Sequence, residues 1–206
     1  MSKTKIQTVS DVHTKDAYSQ FFEDMGDMPI YFAPWWLDTV CGKTSWGVAL
    51  ATNGEYVVGA LPYYIKKSFG LNLIVQPGLT QTLGPWIKPS KAKYTKALGY
   101  EFDVLHALES GLPKHAYYAQ HWSYNSSNWL PFMHRGYTQT SRYSYVIEEL
   151  ADRDRLWSGL RENIKGDIKK AKDKNQITVE ESENLEEFMA LNTLSYRRQD
   201  LKPPFT

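Results

Sequence analysis

Two periodicities divide this chain. From Trp46 to Val75 the pattern is that of strands. Trp46–Thr52, Tyr56–Lys67 and Leu71–Val75 are rich in β-branched and aromatic residues, and they are separated by Asn53-Gly54, which suits a two-residue hairpin, and by Ser68-Phe69-Gly70. Three such runs in succession predict an antiparallel meander. Gly59 and Pro62 predict a bulge or bend in its middle strand, because glycine weakens a strand and proline removes a ladder donor. Elsewhere the period is helical. Ala17, Tyr18, Phe21, Phe22 and Met25 predict a helix over 11–25, stopped by Gly26. Pro34 opens a short helix to Val40, with Cys41-Gly42 closing it and Trp35 and Trp36 at its head as core or subdomain-contact tryptophans, of which one can enter the core while the other need not. Tyr94, Leu98, Phe102, Leu105 and Leu108 predict a third helix, capped by Ser90 and ended by Gly111 and Pro113.

The cleanest helical pattern is LWSGLRENIKGDIKKAKDK, residues 156–174. At about 100° per residue, Trp157, Leu160, Ile164, Ile168 and Ala171 form one stripe and Arg161, Lys165, Lys169 and Lys172 the stripe beside it. This predicts one continuous helix with a buried face and a cationic flank, N-capped by Asp152 or Asp154 and stopped by Asn175 in the left-handed conformation. The flank reads either as a solvated face or as a rim along an anionic partner. Around it the pattern predicts a strand over 114–120, a short helix over 128–135 ended by Gly136, and a strand over 137–147 with Tyr143, Tyr145 and Ile147 on one face. That order implies a parallel crossover. A strand over 177–180 and a helix over 183–198 follow, the latter with Leu185, Phe188, Met189, Asn192 and Tyr196 on one side. The stretch 76–89, QPGLTQTLGPWIKP, has neither period and reads as a functional or a packed loop.

Composition narrows the classes. The 206 residues include 24 basic and 23 acidic side chains, a balance that argues against wholesale binding to nucleic acid or an anionic membrane, so any cationic function is local. A hydrophobic fraction of 42% marks a globular chain. The single cysteine, Cys41, makes the fold independent of an oxidising compartment, and neither a signal-type apolar region nor an 18-residue apolar run is present, so the expectation is a cytoplasmic protein with no membrane partner. The five histidines are scattered and no metal is expected. Cys41 with a distant histidine could form a nucleophile pair, but a lone cysteine at a helix end is more often simply buried. Tyr117, Tyr118, Trp122, Tyr124 and Trp129 form an aromatic cluster better suited to a core than to stacking bases, given the slight charge nearby. P-loop, dinucleotide-loop, HExxH and GxSxG signatures are absent.

The order of elements resembles the GNAT acyltransferase fold, an α/β (α+β) architecture with a mixed sheet. PIYFAPWWLDTV, VVGALPYYI, and LRENIKGDIKKAKDKNQITVEES with the helix reaching YRRQ resemble the FemAB-like branch, in which two GNAT-like domains sit in tandem. The resemblance implies one GNAT-like domain over 1–176 and the opening of a second, incomplete one over 177–206. It implies transfer of an acyl or aminoacyl group from a thioester (acyl-CoA) or aminoacyl-tRNA to a small-molecule or peptide amine, the donor site lying in the second domain. No cofactor is then expected in this chain, which alone is expected to be inactive and not to bind acyl-CoA. The GNAT pyrophosphate loop, Q/R-x-x-G-x-G/A, does not occur in these residues, and the helix 34–40 carries no cation of the kind expected for nucleotide-linked peptidoglycan precursors. Arg161, Lys165, Lys169, Lys172 and Gln76 are the substrate-binding candidates, and no catalytic base stands out. Two other classes remain open: a binding module presenting the basic helix to an anionic partner, and a nucleic-acid-binding domain combining that helix with the aromatic cluster. The apolar side of 183–198 is expected to dock back on the first domain or to pair with another copy of the chain.

Overall fold

The computed structural model describes residues 5–9, 14–147 and 149–203. By internal contacts the chain divides into two compact units, Met1–Gln139 and Thr140–Thr206; the division falls ahead of the 176/177 junction read from the sequence.

The first unit is a mixed six-stranded sheet between two layers of helix. In chain order it contains β1 (Ile6–Val9), α1 (Thr14–Met25), a 3₁₀ turn (Ile30–Phe32), α2 (Pro34–Cys41), β2 (Trp46–Asn53), β3 (Tyr56–Ser68), β4 (Leu71–Val75), β5 (Trp86–Ile87), α3 (Tyr94–Ser110), β6 (Tyr117–Tyr118) and α4 (Leu130–His134). The strand order is β1-β2-β3-β4-β6, with β5 also on β3; every pairing is antiparallel except β4–β6. The meander and both of its turns follow the pattern of the sequence. Alternation in β2 distributes the core: Trp46, Val48 and Leu50 join Tyr18, Phe21, Phe32 and Leu37 on the side of α1 and α2. Ala49 and Ala51 face Val104, Leu105, Leu108 and Phe132 on the side of α3 and α4.

The strand β1 has no counterpart in the sequence reading, and the start of the first helix, residues 11–13, lies outside those described. The α3 apolar stripe is buried only in its second half. Val104, Leu105, Ala107 and Leu108 lie under the sheet while Tyr94 and Leu98 are exposed, because β1 and β2 reach only that far: Thr8 Oγ1 donates to Ala107 O at 2.6 Å. Lys93, not Ser90, precedes the helix. The parallel crossover runs from β4 through α3 to β6. Residues 137–147 do not form the strand their alternation suggests. Tyr143, Tyr145 and Ile147 are exposed, and alternation without a neighbouring strand makes no ladder.

The second unit contains α5 (Arg153–Gly159), α6 (Glu162–Lys169), a π turn (Lys170–Lys174) and α7 (Leu185–Arg198). The continuous helix expected over 156–174 is therefore broken. Leu160 and Arg161 are extended, at φ −69°, ψ 144° and φ −63°, ψ 146°. Ser158-Gly159 immediately precedes the break, and glycine inside a helix costs about 1 kcal/mol relative to alanine. Asp152 does cap α5, accepting from Arg155 N at 2.9 Å. Asn175 is not the left-handed stop; Gln176 takes that conformation at φ 49°. The stripe is not buried either: Trp157, Ile164 and Ile168 are 40%, 41% and 43% exposed. Residues 177–180 form no strand, and α7, capped by Asn184, is the helix expected there. No helix among the described residues is long and apolar enough to cross a membrane.

Candidate functional site

The most organised polar constellation lies where β3 changes partners. On its outer edge β3 pairs with β5 at Gly59 and Ala60 and with β4 from Tyr64 to Ser68, leaving 61–63 without a strand neighbour. Pro62 occupies that gap, where a missing N–H costs no ladder bond. The register skips Val58 between Ala51↔Gly59 and Thr52↔Val57, so the bulge expected from Gly59 is present. Gln120 fills the gap, Nε2 donating to Pro62 O at 2.8 Å. Its Oε1 accepts from Tyr118 Oη at 2.7 Å, and Trp122 Nε1 donates to Tyr118 Oη at 3.2 Å.

Gln76 stands at the adjoining C-terminal end of β4. Its Oε1 accepts from His121 N at 3.0 Å and its Nε2 donates to Thr80 O at 2.9 Å, while Leu83 N donates to His121 O at 2.8 Å. Buried Thr80 in turn takes the indole N–H of Trp36 at 3.0 Å and donates to Gly78 O. The stretch 76–89 is thus a packed strap across the ends of the parallel pair β4/β6, and it contains a strand, β5, that its sequence does not announce. Carboxyl ends of parallel strands are where open α/β sheets place ligands. Gly84, at φ 122°, lies so close to Trp122 that an added Cβ would stand 2.6 Å from the indole.

Beside the strap, Trp36 packs edge-on against Tyr31 and Trp35, at ring separations of 5.5 and 5.9 Å. Trp36 is half-buried and Trp35 is 58% exposed, so of the two adjacent tryptophans one turns inward and the other to the surface. Residues 28–37 and 68–87 contain no charged side chain, so the two segments that meet at Trp36 and Thr80 are themselves neutral and include several aromatic residues. Such a surface suits an uncharged group rather than phosphate or carboxylate.

The remaining candidates fall elsewhere. Arg161, Lys165, Lys169 and Lys172 belong to the second unit and Gln76 to the first. Within the second unit the cations do not form one continuous stripe. Arg161 sits in the break, Lys165 turns back to Glu162 Oε1 at 2.8 Å and Ser158 O at 3.3 Å, Lys169 ends α6, and Lys172 lies in the π turn. Cys41 is half-buried, and burial, more than neighbouring Asp38, pushes its thiol up to about 12 against the lowering influence of Lys15; it is no nucleophile near neutrality. Burial likewise holds Tyr118 well above the ordinary phenol range, so it serves the strap as a donor and not as a base. The aromatic cluster divides: Tyr118 and Trp122 pack on Phe132 at 5.8 and 4.9 Å, whereas Tyr117 and Tyr124 are exposed. Thr80, Gln120 and His121 carry no sequence signature: Gln120 answers a partner change in the sheet, Thr80 meets Trp36 and Gln76 only in the fold, and two of the bonds at His121 are made by its backbone.

No family model matches the chain, and no curated protein matches it significantly. Among solved structures it is similar to a ribosomal-protein-alanine N-acetyltransferase from Brucella melitensis biovar Abortus, at 8% identity and a TM-score of 0.38, over 70% of this chain and 99% of that one. It is also similar to an aminoglycoside acetyltransferase from an uncultured soil metagenomic sample, at 14% identity and TM-score 0.33, over 70% and 96%. A third likeness is to a probable acetyltransferase, at 11% identity and TM-score 0.32, over 72% and 99%.

Proposed function

We propose that this protein is an acyltransferase of GNAT type, related to the FemAB-like branch, moving an acyl or aminoacyl group from a thioester or an aminoacyl-tRNA to an amine. The strap is the acceptor half of its site. The observation that carries the reading is the neutral, aromatic surface at the C-terminal ends of β4 and β6, where Gln76 and Thr80 fix the backbone and no charge competes. An attacking amine must be neutral, and a site free of carboxylates favours that form. Transfer by direct attack needs a proton acceptor and donors to the developing oxyanion rather than a protein nucleophile. His121, whose backbone is tied to Gln76 and Leu83 of the strap, is the candidate to relay the proton. The second hydrogen of Gln76 Nε2 is a candidate donor. The donor group is bound outside the strap, since no Q/R-x-x-G-x-G/A loop follows β4.

The test is tryptophan fluorescence of the full chain titrated with a panel of primary amines (spermidine, glucosamine, a lysine-containing peptide), with acetyl-CoA titrated calorimetrically in parallel. Saturable quenching by at least one amine, lost in Trp36→Phe or Gln76→Ala, supports the acceptor site. Acetyl-CoA alone is expected to give no saturable heat. Failure of every amine to bind, or micromolar binding of acetyl-CoA at the strap, overturns the assignment of the halves.

A further inference from the structure

The second unit has no fully buried side chain among its described residues. Its helices, of 7, 8 and 14 residues, are too short to persist without packing. Leu185, Phe188 and Leu191 of α7 are 73%, 58% and 61% exposed. Its charges are sorted along the chain. Residues 161–174 hold Arg161, Lys165, Lys169, Lys170, Lys172 and Lys174 against Glu162, Asp167 and Asp173, whereas 180–187 hold Glu180, Glu181, Glu183, Glu186 and Glu187 and no base. Among the described residues the one ion pair within these two stretches is Lys165–Glu162, which leaves the two blocks unpaired with each other. Between them lies Ile177-Thr178-Val179, three β-branched residues in a row, with Ile177 57% and Val179 95% exposed. Among the described residues the backbone of 178–182 makes no backbone hydrogen bond. Ile177 N is held by Ala171 O at 3.0 Å, so the backbone open to a ladder begins at Thr178, and an exposed, β-prone edge of this kind is a template for another strand.

We propose that residues 177–179 pair antiparallel with the same residues of a second copy, about a two-fold axis at Thr178. In an antiparallel self-pairing, the segment preceding the strand in one copy lies over the segment following it in the other. Here the preceding segment is basic and the following one acidic, so the dyad brings each basic block to an acidic block twice. A parallel pairing would set like charges together. α7 begins within the acidic block, so its exposed side is carried to the same seam, where it supplies apolar cover. The second copy is favoured over an unrelated partner because both halves of the charge pattern, and the edge between them, are present in one chain. This inference is independent of the acyltransferase reading.

The experiment is sedimentation equilibrium of the full chain across a wide concentration range, at low and high salt. A dimer that weakens as salt rises is expected. The triple variants Lys169→Glu/Lys170→Glu/Lys172→Glu and Glu181→Lys/Glu183→Lys/Glu186→Lys should each lose at least about tenfold in self-association, and an equimolar mixture of the two should recover it as a heterodimer. Thr178→Pro, which removes a strand donor without touching a charge, should dissociate the dimer at unchanged helicity by circular dichroism. A wild-type chain that stays monomeric at high concentration overturns the proposal, as does a dimer indifferent to both reversals, or a mixture that fails to re-associate.

Discussion

Gly59 shows how a single residue couples the bulge to the helix layer. A Cβ added there would stand 2.6 Å from Val104 Cγ1 and 3.3 Å from Trp86 O, so the close approach of α3 to the sheet requires its absence. Gly59→Val should destabilise the first unit by about 1 to 3 kcal/mol as an overpacking change, measured by urea denaturation, whereas Gly99→Ala, where an added Cβ meets nothing within 4 Å, should be neutral or slightly stabilising. Equal effects would mean that the layer spacing is not set at Gly59. Cys41 belongs to the same scale. With its thiol pushed up to about 12 by burial, it should react with iodoacetamide at pH 8 far more slowly in the native protein than in urea. Comparable rates in the two states would show an accessible, ordinary thiol.

At the scale of elements, periodicity was a good guide wherever a neighbour existed to receive the apolar face. The meander, α1, α2 and the second half of α3 were legible because their patterns are met by one another across β2 and β3. The pattern over 156–174 is cleaner than any of these, yet its helix breaks at Leu160 and its stripe stays nearly half exposed, since a period states which face is apolar and not what will cover it. The strap was legible only as an aperiodic stretch of unusual length. Of its constellation, Gln76 could be picked out at a strand end, but Gln120 depends on the gap at Pro62, which exists only once β4 and β5 have divided the edge of β3, and Thr80 on the fold that brings Gln76 and Trp36 to it. Burial therefore reverses the ranking that pattern alone suggests. Leu108→Ala, at a fully buried position, should cost about 2 to 5 kcal/mol in urea melts, and Ile164→Ala, 41% exposed, about 1 or less at protein concentrations where the chain is monomeric. A larger loss at Ile164 than at Leu108 would place the main core in the second unit.

For the whole molecule, Cys41 and the raised tyrosines give stability a downward slope at alkaline pH. Tyr137 is raised to about 12, first by burial and then by the charge and hydrogen bond of Glu109, against a lowering contribution from Arg135. Its Oη also lies 3.1 Å from His115 Nε2, and His115 Nδ1 donates to Pro113 O at 2.7 Å. Cys41 is raised to about 12 as well, and burial moves Tyr18 and Tyr118 upward. Each of these groups is neutral when protonated, and each holds its proton in the folded protein through a range in which the unfolded chain has released it. Above the unfolded values, about 8.5 for cysteine and 10 for tyrosine, the native state therefore binds more protons than the unfolded one, and the slope of unfolding free energy against pH is negative. Their stabilising contribution is complete below about pH 8 and is lost progressively as pH rises toward 12. Urea midpoints measured from pH 8 to 11.5 should fall steadily, and Tyr137→Phe should flatten the part of that fall above pH 10 even though it removes a hydrogen bond and lowers stability at neutral pH. An unchanged slope in Tyr137→Phe would mean that the phenol titrates normally and that the Glu109–Tyr137–His115 contact is open to water in solution.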